Sequence, residues 1–237
     1  WEANEIPLQQ SERVPSQIQQ KALSIINRVQ DNRLEKTYKP KKEKGEIFEV
    51  INLCDINMIK GTWLILARTN PLLKPISSIL KNKGLFFKTV DGNSIAKNLY
   101  EDRLNWDKMR KGETIPEIQE QRLLEKIKGK PNLDLEWYDA FTNVASAKID
   151  YLRVMLSNGE KIDKDPRITV STIHSAKGGE ATNVVLFLNQ TINTIKASKK
   201  SVYKQDEEYR VWYVGVTRTI QNLYLIKCKN KRKEFII

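Results

Sequence analysis

The sequence predicts an α/β layered fold built on a parallel sheet with helices on both faces, interrupted by a small, mainly helical insertion. Three observations carry this. Short apolar runs bounded by turn residues alternate with helical stripes. One run, Trp63-Leu64-Ile65-Leu66-Ala67, is apolar on both faces, as a central strand covered above and below requires. Between residues 91 and 165 the alternation gives way to long polar stretches that carry helical stripes.

In chain order, Ile18, Ala22, Ile25, Ile26 and Val29 recur at helical spacing after Val14-Pro15-Ser16, which places Ser16 to cap the first turn. A basic connector bearing Lys36, Lys39, Pro40, Lys41, Lys42, Lys44 and Gly45 is expected to be exposed loop. Residues 47–53 have strand character. Pro71 begins the next helix, with Leu72, Ile76, Ile79 and Leu80 on one stripe and Gly84 as its stop. Residues 85–90 return to strand. The clearest stripe of the insertion is Trp137, Phe141, Val144, Ala145, Leu152 and Met155. The sheet pattern resumes over 167–173 and 183–189. A helix over 206–216 follows, with Asp206, Glu207 and Glu208 at its positive N-terminal end, and a last strand over 223–228. Residues 1–90 and 166–237 are thereby assigned to the sheet domain and 91–165 to the insertion.

Composition narrows the class of protein. At 40% apolar and 30% charged residues the chain can build a core, which excludes a disordered chain. Lys plus Arg total 41 against 29 acidic residues, and the resulting +12 points to a polyanionic partner. Nucleic acid comes first and an anionic membrane surface second; a solvated basic surface that binds nothing in particular is the alternative. Cys54 and Cys228 are too few for a disulfide framework or a metal site, and both fall in apolar stretches, so buried thiols in a reducing compartment are expected. The densest apolar run, residues 184–188, is far too short to cross a membrane, and no signal-peptide pattern opens the chain. The expected location is the cytoplasm.

Two segments carry the chemistry. The first is Thr169-Val170-Ser171-Thr172-Ile173-His174-Ser175-Ala176-Lys177-Gly178-Gly179-Glu180. A strand delivers a turn bearing hydroxyl, imidazole, ammonium and carboxylate groups, and its two glycines let the backbone approach a ligand. Open α/β sheets bind ligands beyond the carboxyl ends of their strands, where this turn is expected. His174 is the single histidine of the chain; on its own it is more often a core or surface residue than a catalyst. The second segment runs from Glu207 to Thr219, where Arg218 ends an apolar helical stretch. An arginine in such a place needs an anion, either a phosphate or a core carboxylate.

Thr-x-His-x-x-Lys-Gly-x-Glu at 172–180, then Glu-Glu-x-Arg-x-x-Tyr-Val-x-x-Thr-Arg at 207–218, resembles motifs V and VI of the UvrD/Rep-like superfamily 1 DNA helicases. Leu8-Gln9-Gln10-Ser11-Glu12-Arg13-Val14-Pro15 resembles motif IV, and Leu64 through Arg68-Thr69-Asn70 resembles the strand that follows it. The four pieces stand in the family's order and span nearly the whole chain. The resemblance implies the second, C-terminal motor domain of an ATP-dependent helicase, a RecA-like parallel sheet of the P-loop NTPase superfamily with an accessory insertion. It implies that Arg13 and Arg218 reach the γ-phosphate of ATP, that Gly178 and Glu180 lie by the nucleotide, and that Arg68, Thr69, Asn70, Thr172 and His174 face single-stranded or partly duplex DNA. ATP and magnesium would be held mainly by the partner N-terminal motor domain.

Departures from the family pattern are Glu12 where motif IV usually has tyrosine, Gly179 and Ala181 in place of larger residues, and Thr219 for alanine. No Gly-x-x-x-x-Gly-Lys-[Ser/Thr] occurs; Gly129-Lys130 runs into Pro131, and Leu124 stands where the first glycine belongs. This chain alone is therefore expected not to hydrolyse ATP. The alternative function is a helicase-like module that docks nucleic acid or protein without motor activity.

Overall fold

Five parallel strands form the core sheet of one unit in the computed structural model, which describes residues 10–31, 33, 39–176 and 178–237. The elements open with β1 (Gln10–Pro15), α1 (Ser16–Ile26), β2 (Lys39–Lys41), β3 (Glu46–Val50), β4 (Trp63–Ala67) and α2 (Leu73–Asn82). Next come β5 (Phe87–Thr89), β6 (Gly92–Asn93), α3 (Lys97–Arg110), α4 (Glu117–Leu124), α5 (Trp137–Ala140) and α6 (Ser146–Ser157). The chain closes with β7 (Ile168–Thr172), β8 (Ala181–Phe187), α7 (Ile192–Ser198), α8 (Val202–Val216) and β9 (Thr219–Ile226).

Two compact units emerge. One comprises the described residues of Trp1–Ile76 together with Ile168–Ile237, and the other is Ser77–Arg167. In the first, the strand order is β3-β9-β8-β4-β7, all parallel. All five residues of β4 are buried, as expected of a strand flanked by β8 on one side and β7 on the other. Side chains alternate across the sheet, so Leu64 and Leu66 join Val184, Leu186, Leu223 and Leu225 on one face. Ile18, Ala22 and Ile25 of α1 and Trp212 and Val216 of α8 close over that face. The Trp212 ring stacks on Phe235 at 4.4 Å between centroids. Each fully buried aliphatic side chain in this layer contributes about 1.5–3 kcal/mol.

Several local expectations are corrected. Ser16 does not cap α1: Pro15 holds the cap position, and the N–H groups of Ser16 and Gln17 donate to the carbonyls of Glu43 and Lys44. The basic connector is not all loop, because Lys39–Lys41 pairs in parallel with β1. Gly45 ends it at φ +68°, where a Cβ would stand 2.6 Å from Pro15 Cβ and 2.9 Å from the Gln221 carbonyl. Asn70–Leu72 forms a short 3-10 turn, so the helix starts at Leu73 instead of Pro71. Helix α8 begins at Val202 with Ser201 accepting from Lys204 N–H, which moves Asp206 and Glu208 off the helix end and into the interior. Asp206 instead accepts the backbone N–H groups of Gln30 and Asp31, the turn after α1. Cys228 is buried, whereas Cys54 is exposed in a 3-10 turn because Leu53–Asp55 leaves the strand.

The second unit is mainly helical, with one short antiparallel pair, β5 and β6. Trp106 of α3 meets Phe141 edge-on at 6.0 Å, and Trp137 meets the same ring at 6.1 Å. The stripe from Trp137 to Met155 is divided between α5 and α6, with Ala145 exposed between them. Arg122 of α4 binds the buried Asp102 of α3 at 2.7 Å. Among the described residues, no helix is long and apolar enough to cross a membrane.

Candidate functional site

Parallel register decides where each candidate residue lies. Ala67 is the register partner of Thr172, and Ile173 N–H donates to the Ala67 carbonyl at 3.0 Å. Arg68, Thr69, Asn70 and His174 therefore gather at the carboxyl ends of β4 and β7. Ala181 is the partner of Thr219, and Ala181 N–H donates to the Arg218 carbonyl at 3.2 Å. Glu180 and Arg218 therefore stand side by side at the amino ends of β8 and β9. Residues 173–176 leave β7 at the carboxyl end and residues 178–180 enter β8 at the amino end, so the connection is a crossing segment that passes β4. This segment, expected as one turn at the carboxyl ends, is thus divided: His174 stays at one end, and Gly178, Gly179 and Glu180 reach the other. Trp63 pairs with Asn183, so Arg68 and Glu180 are separated by about eight strand residues, roughly 25 Å at 3.3 Å per residue.

At the amino ends two guanidinium groups converge. Arg13, on β1, reaches Glu180 with Nη1 to Oε2 at 3.2 Å, an ion pair with both side chains partly in solvent. Its Nε is buried and has no hydrogen-bond partner among the described residues. Arg218 donates from Nε to the Val214 carbonyl at 3.2 Å and from Nη1 to the Gly179 carbonyl at 3.4 Å. Burial first, and then the charge of Arg13, pull the Arg218 pKa below its ordinary value, while Glu180 opposes them. Arg218 is thus held by carbonyl dipoles and not by a core carboxylate, and one exposed carboxylate serves two cations. Gly178 takes φ +90°, with open space where a Cβ would project.

Glycine also sets the position of α8. A Cβ on Gly215 would lie 3.2 Å from Leu186 Cδ1 and 3.4 Å from Ile173 Cγ2, tighter than packing accepts comfortably. Its absence lets α8 lie close against both β8 and the crossing segment, and this fixes where Arg218 leaves the helix.

The carboxyl ends are built differently. Arg68 grips Glu208 with Nε to Oε1 at 2.8 Å and Nη2 to Oε2 at 2.8 Å. Glu208 is only 5% exposed, and it also accepts from Trp212 Nε1 at 2.7 Å and Gln190 Nε2 at 3.2 Å. Arg68 Nη1 lies 3.4 Å from His174 Nδ1. Because arginine only donates, that ring nitrogen accepts and the imidazole proton sits on Nε2. Burial, followed by the charge of Arg68, lowers the His174 pKa below its ordinary 6.5, while the charge of Glu208 opposes them. The Thr69 hydroxyl is buried and has no hydrogen-bond partner among the described residues, and Asn70 is exposed. The Thr172 hydroxyl is turned inward, donating to Ser175 Oγ at 2.9 Å and accepting from Ser175 N–H at 3.2 Å.

All nine candidate residues thus fall into two groups at opposite ends of the strands. Lys177, and Leu8 and Gln9 of the first motif, lie outside the described residues. Sequence reasoning missed Glu208 as a contact. The available clue was a carboxylate four residues before Trp212 in a helix otherwise fit for burial, the spacing that puts both on one face.

Comparison with known proteins assigns the chain to a family. The family model described as the UvrD-like helicase C-terminal domain matches residues 93–230. That stretch includes the crossing segment and α8, while Arg13 and Arg68 lie before it. The chain is also similar to a probable DNA helicase II homolog of Mycoplasma capricolum subsp. capricolum, with 29% identity over 210 residues. The match takes in 80% of this chain and 28% of that protein, so the chain spans little more than a quarter of the relative's length.

Proposed function

Because the chain belongs to the UvrD-like helicase C-terminal domain family, we propose that it is the second motor half of an ATP-dependent DNA helicase or translocase. In this reading residues 1–90 and 166–237 form the motor domain and 91–165 an accessory insertion, and the enzyme works in the cytoplasm. A first motor half holds most of the ATP and its magnesium. ATP supplies the phosphoryl group whose transfer drives the cycle; this chain supplies the charge that surrounds it.

The convergence of Arg13 and Arg218 on Gly179 and Glu180 carries the proposal. Two cations beside a single exposed carboxylate leave a net positive site with guanidinium donors at its edge. A terminal phosphate, with several acceptor oxygens, fits that donor set. Arg13 and Arg218 bind it and stabilise the charge that develops during transfer. Glu180, displaced from Arg13, and the open backbone at Gly178 line the nucleotide's near side.

At the other end the donors suit a DNA strand bound without regard to sequence. The Asn70 amide, Arg68 Nη1 and the His174 Nε2–H face the strand, while Thr69, its hydroxyl buried, holds the backbone between Arg68 and Asn70. Thr172 contributes by shaping the turn that presents His174. The test is Arg218→Ala in the complete enzyme. We expect kcat for ATP to fall by about 10²–10³-fold, as when a transition-state donor is removed, with nucleotide-free single-strand affinity unchanged. Normal turnover would reject the assignment.

A further inference from the structure

We propose that Glu208 is a positioning residue that couples strand contact to nucleotide turnover by tying Arg68 to the helix that carries Arg218. The inference rests on the motor reading above and adds a residue to it.

Glu208 is the meeting point of three segments that end at the carboxyl side of the sheet. Arg68 follows β4, Gln190 follows β8, and Trp212 lies one turn along α8, and all three donate to its carboxylate. Arg68 in turn touches His174, which follows β7. The four acceptor positions of a carboxylate are therefore filled by side chains that define the strand-facing end. A buried carboxylate bonded in this way holds its partners in one arrangement, since leaving any of them unpaired is costly.

The same carboxylate is rooted in α8, ten residues before Arg218. From Glu208 to Val216, where α8 ends just before Arg218, the helix spans roughly 12 Å at about 1.5 Å per residue and so carries a displacement toward the amino ends. Close packing of Gly215 on Leu186 and Ile173 makes α8 and the crossing segment move as one body. When Arg218 is drawn toward an anion at the amino ends, Glu208 shifts with it and carries Arg68 and the His174 ring. When a strand engages Arg68, the pull returns along the same path. Because the coupling is a free energy, it acts in both directions.

The experiment compares ATP turnover of the complete enzyme with and without single-stranded oligothymidylate. The variants are Glu208→Gln, Arg68→Lys and the two together. Glu208→Gln keeps the shape and removes the charge. We expect its DNA-free turnover to remain near that of the parent while stimulation by DNA falls about tenfold, the scale of one coupled pair in a shared network. Arg68→Lys, which keeps the charge and loses the forked bonding, should lower stimulation alike, and the double variant should be no worse than either single. Stimulation intact in Glu208→Gln would overturn the inference. So would losses that multiply in the double variant, or an equal fall with and without DNA. Should Glu208→Gln not fold, Arg68→Lys alone reads the coupling, and undiminished stimulation there overturns it. A parent enzyme that DNA does not stimulate would refute the motor reading itself, and this outcome is distinct from the others.

Discussion

The two ends of the parallel strands each present an arginine to a glutamate, yet the pairs are built for opposite tasks. Arg13 and Glu180 meet through a single contact at 3.2 Å, with side chains 36% and 50% exposed. Arg68 and Glu208 meet through a fork at 2.8 Å, with side chains 17% and 6% exposed. An exposed pair of the first kind contributes about 0–1 kcal/mol and exchanges partners readily. Breaking a buried pair of the second kind costs about 3–5 kcal/mol, because the survivor is left uncompensated. The first pair is suited to releasing its arginine to an incoming anion, the second to holding its arginine still.

Substitutions sharpen that contrast. Glu208→Ala should destabilise the protein by about 3–5 kcal/mol, read from denaturant midpoints at unchanged m-value. Glu180→Ala should cost less than about 1 kcal/mol in the same assay. Equal losses at the two positions would erase the distinction. The smallest effect concerns His174. Its folded pKa lies below the ordinary 6.5, so the unfolded chain binds the proton more readily. Stability therefore rises with pH through the window just below 6.5 and is lost as pH falls through it. His174→Gln should flatten that part of the stability–pH curve, and a curve unchanged by the substitution would remove His174 as its source.

Much of the sheet could be read from residues alone. Trp63 to Ala67 is apolar at every position, and only a strand covered on both faces tolerates that; the structure buries all five. The stripe Ile18, Ala22, Ile25 placed α1 for the same reason. Lys39–Lys41 was illegible as a strand because its pairing with β1 uses backbone groups and leaves no apolar alternation behind. The start of α8 was missed because its cap, Ser201, sits in a polar stretch where nothing marks the first turn as buried. Asp206 and Glu208 looked like helix-end charges, since their partners Gln30, Asp31, Arg68 and Gln190 come from far along the chain.

The candidate residues were legible as types and in part as places. The resemblance implies one phosphate shared by Arg13 and Arg218, and the two side chains stand around Glu180. The division of residues 173–180 between two ends was not legible, because it follows from strand order: β8 lies two places from β7, on the far side of β4. No local pattern encodes that order.

The most direct test of the account is a double-mutant cycle on Arg13 and Arg218 in the complete enzyme, read as kcat for ATP. Two guanidinium groups that act on one phosphate should lose their effect together, so Arg13→Ala combined with Arg218→Ala should be barely slower than the worse single variant. Losses that multiply would show the two arginines acting at separate places and would contradict the convergence on which the function rests.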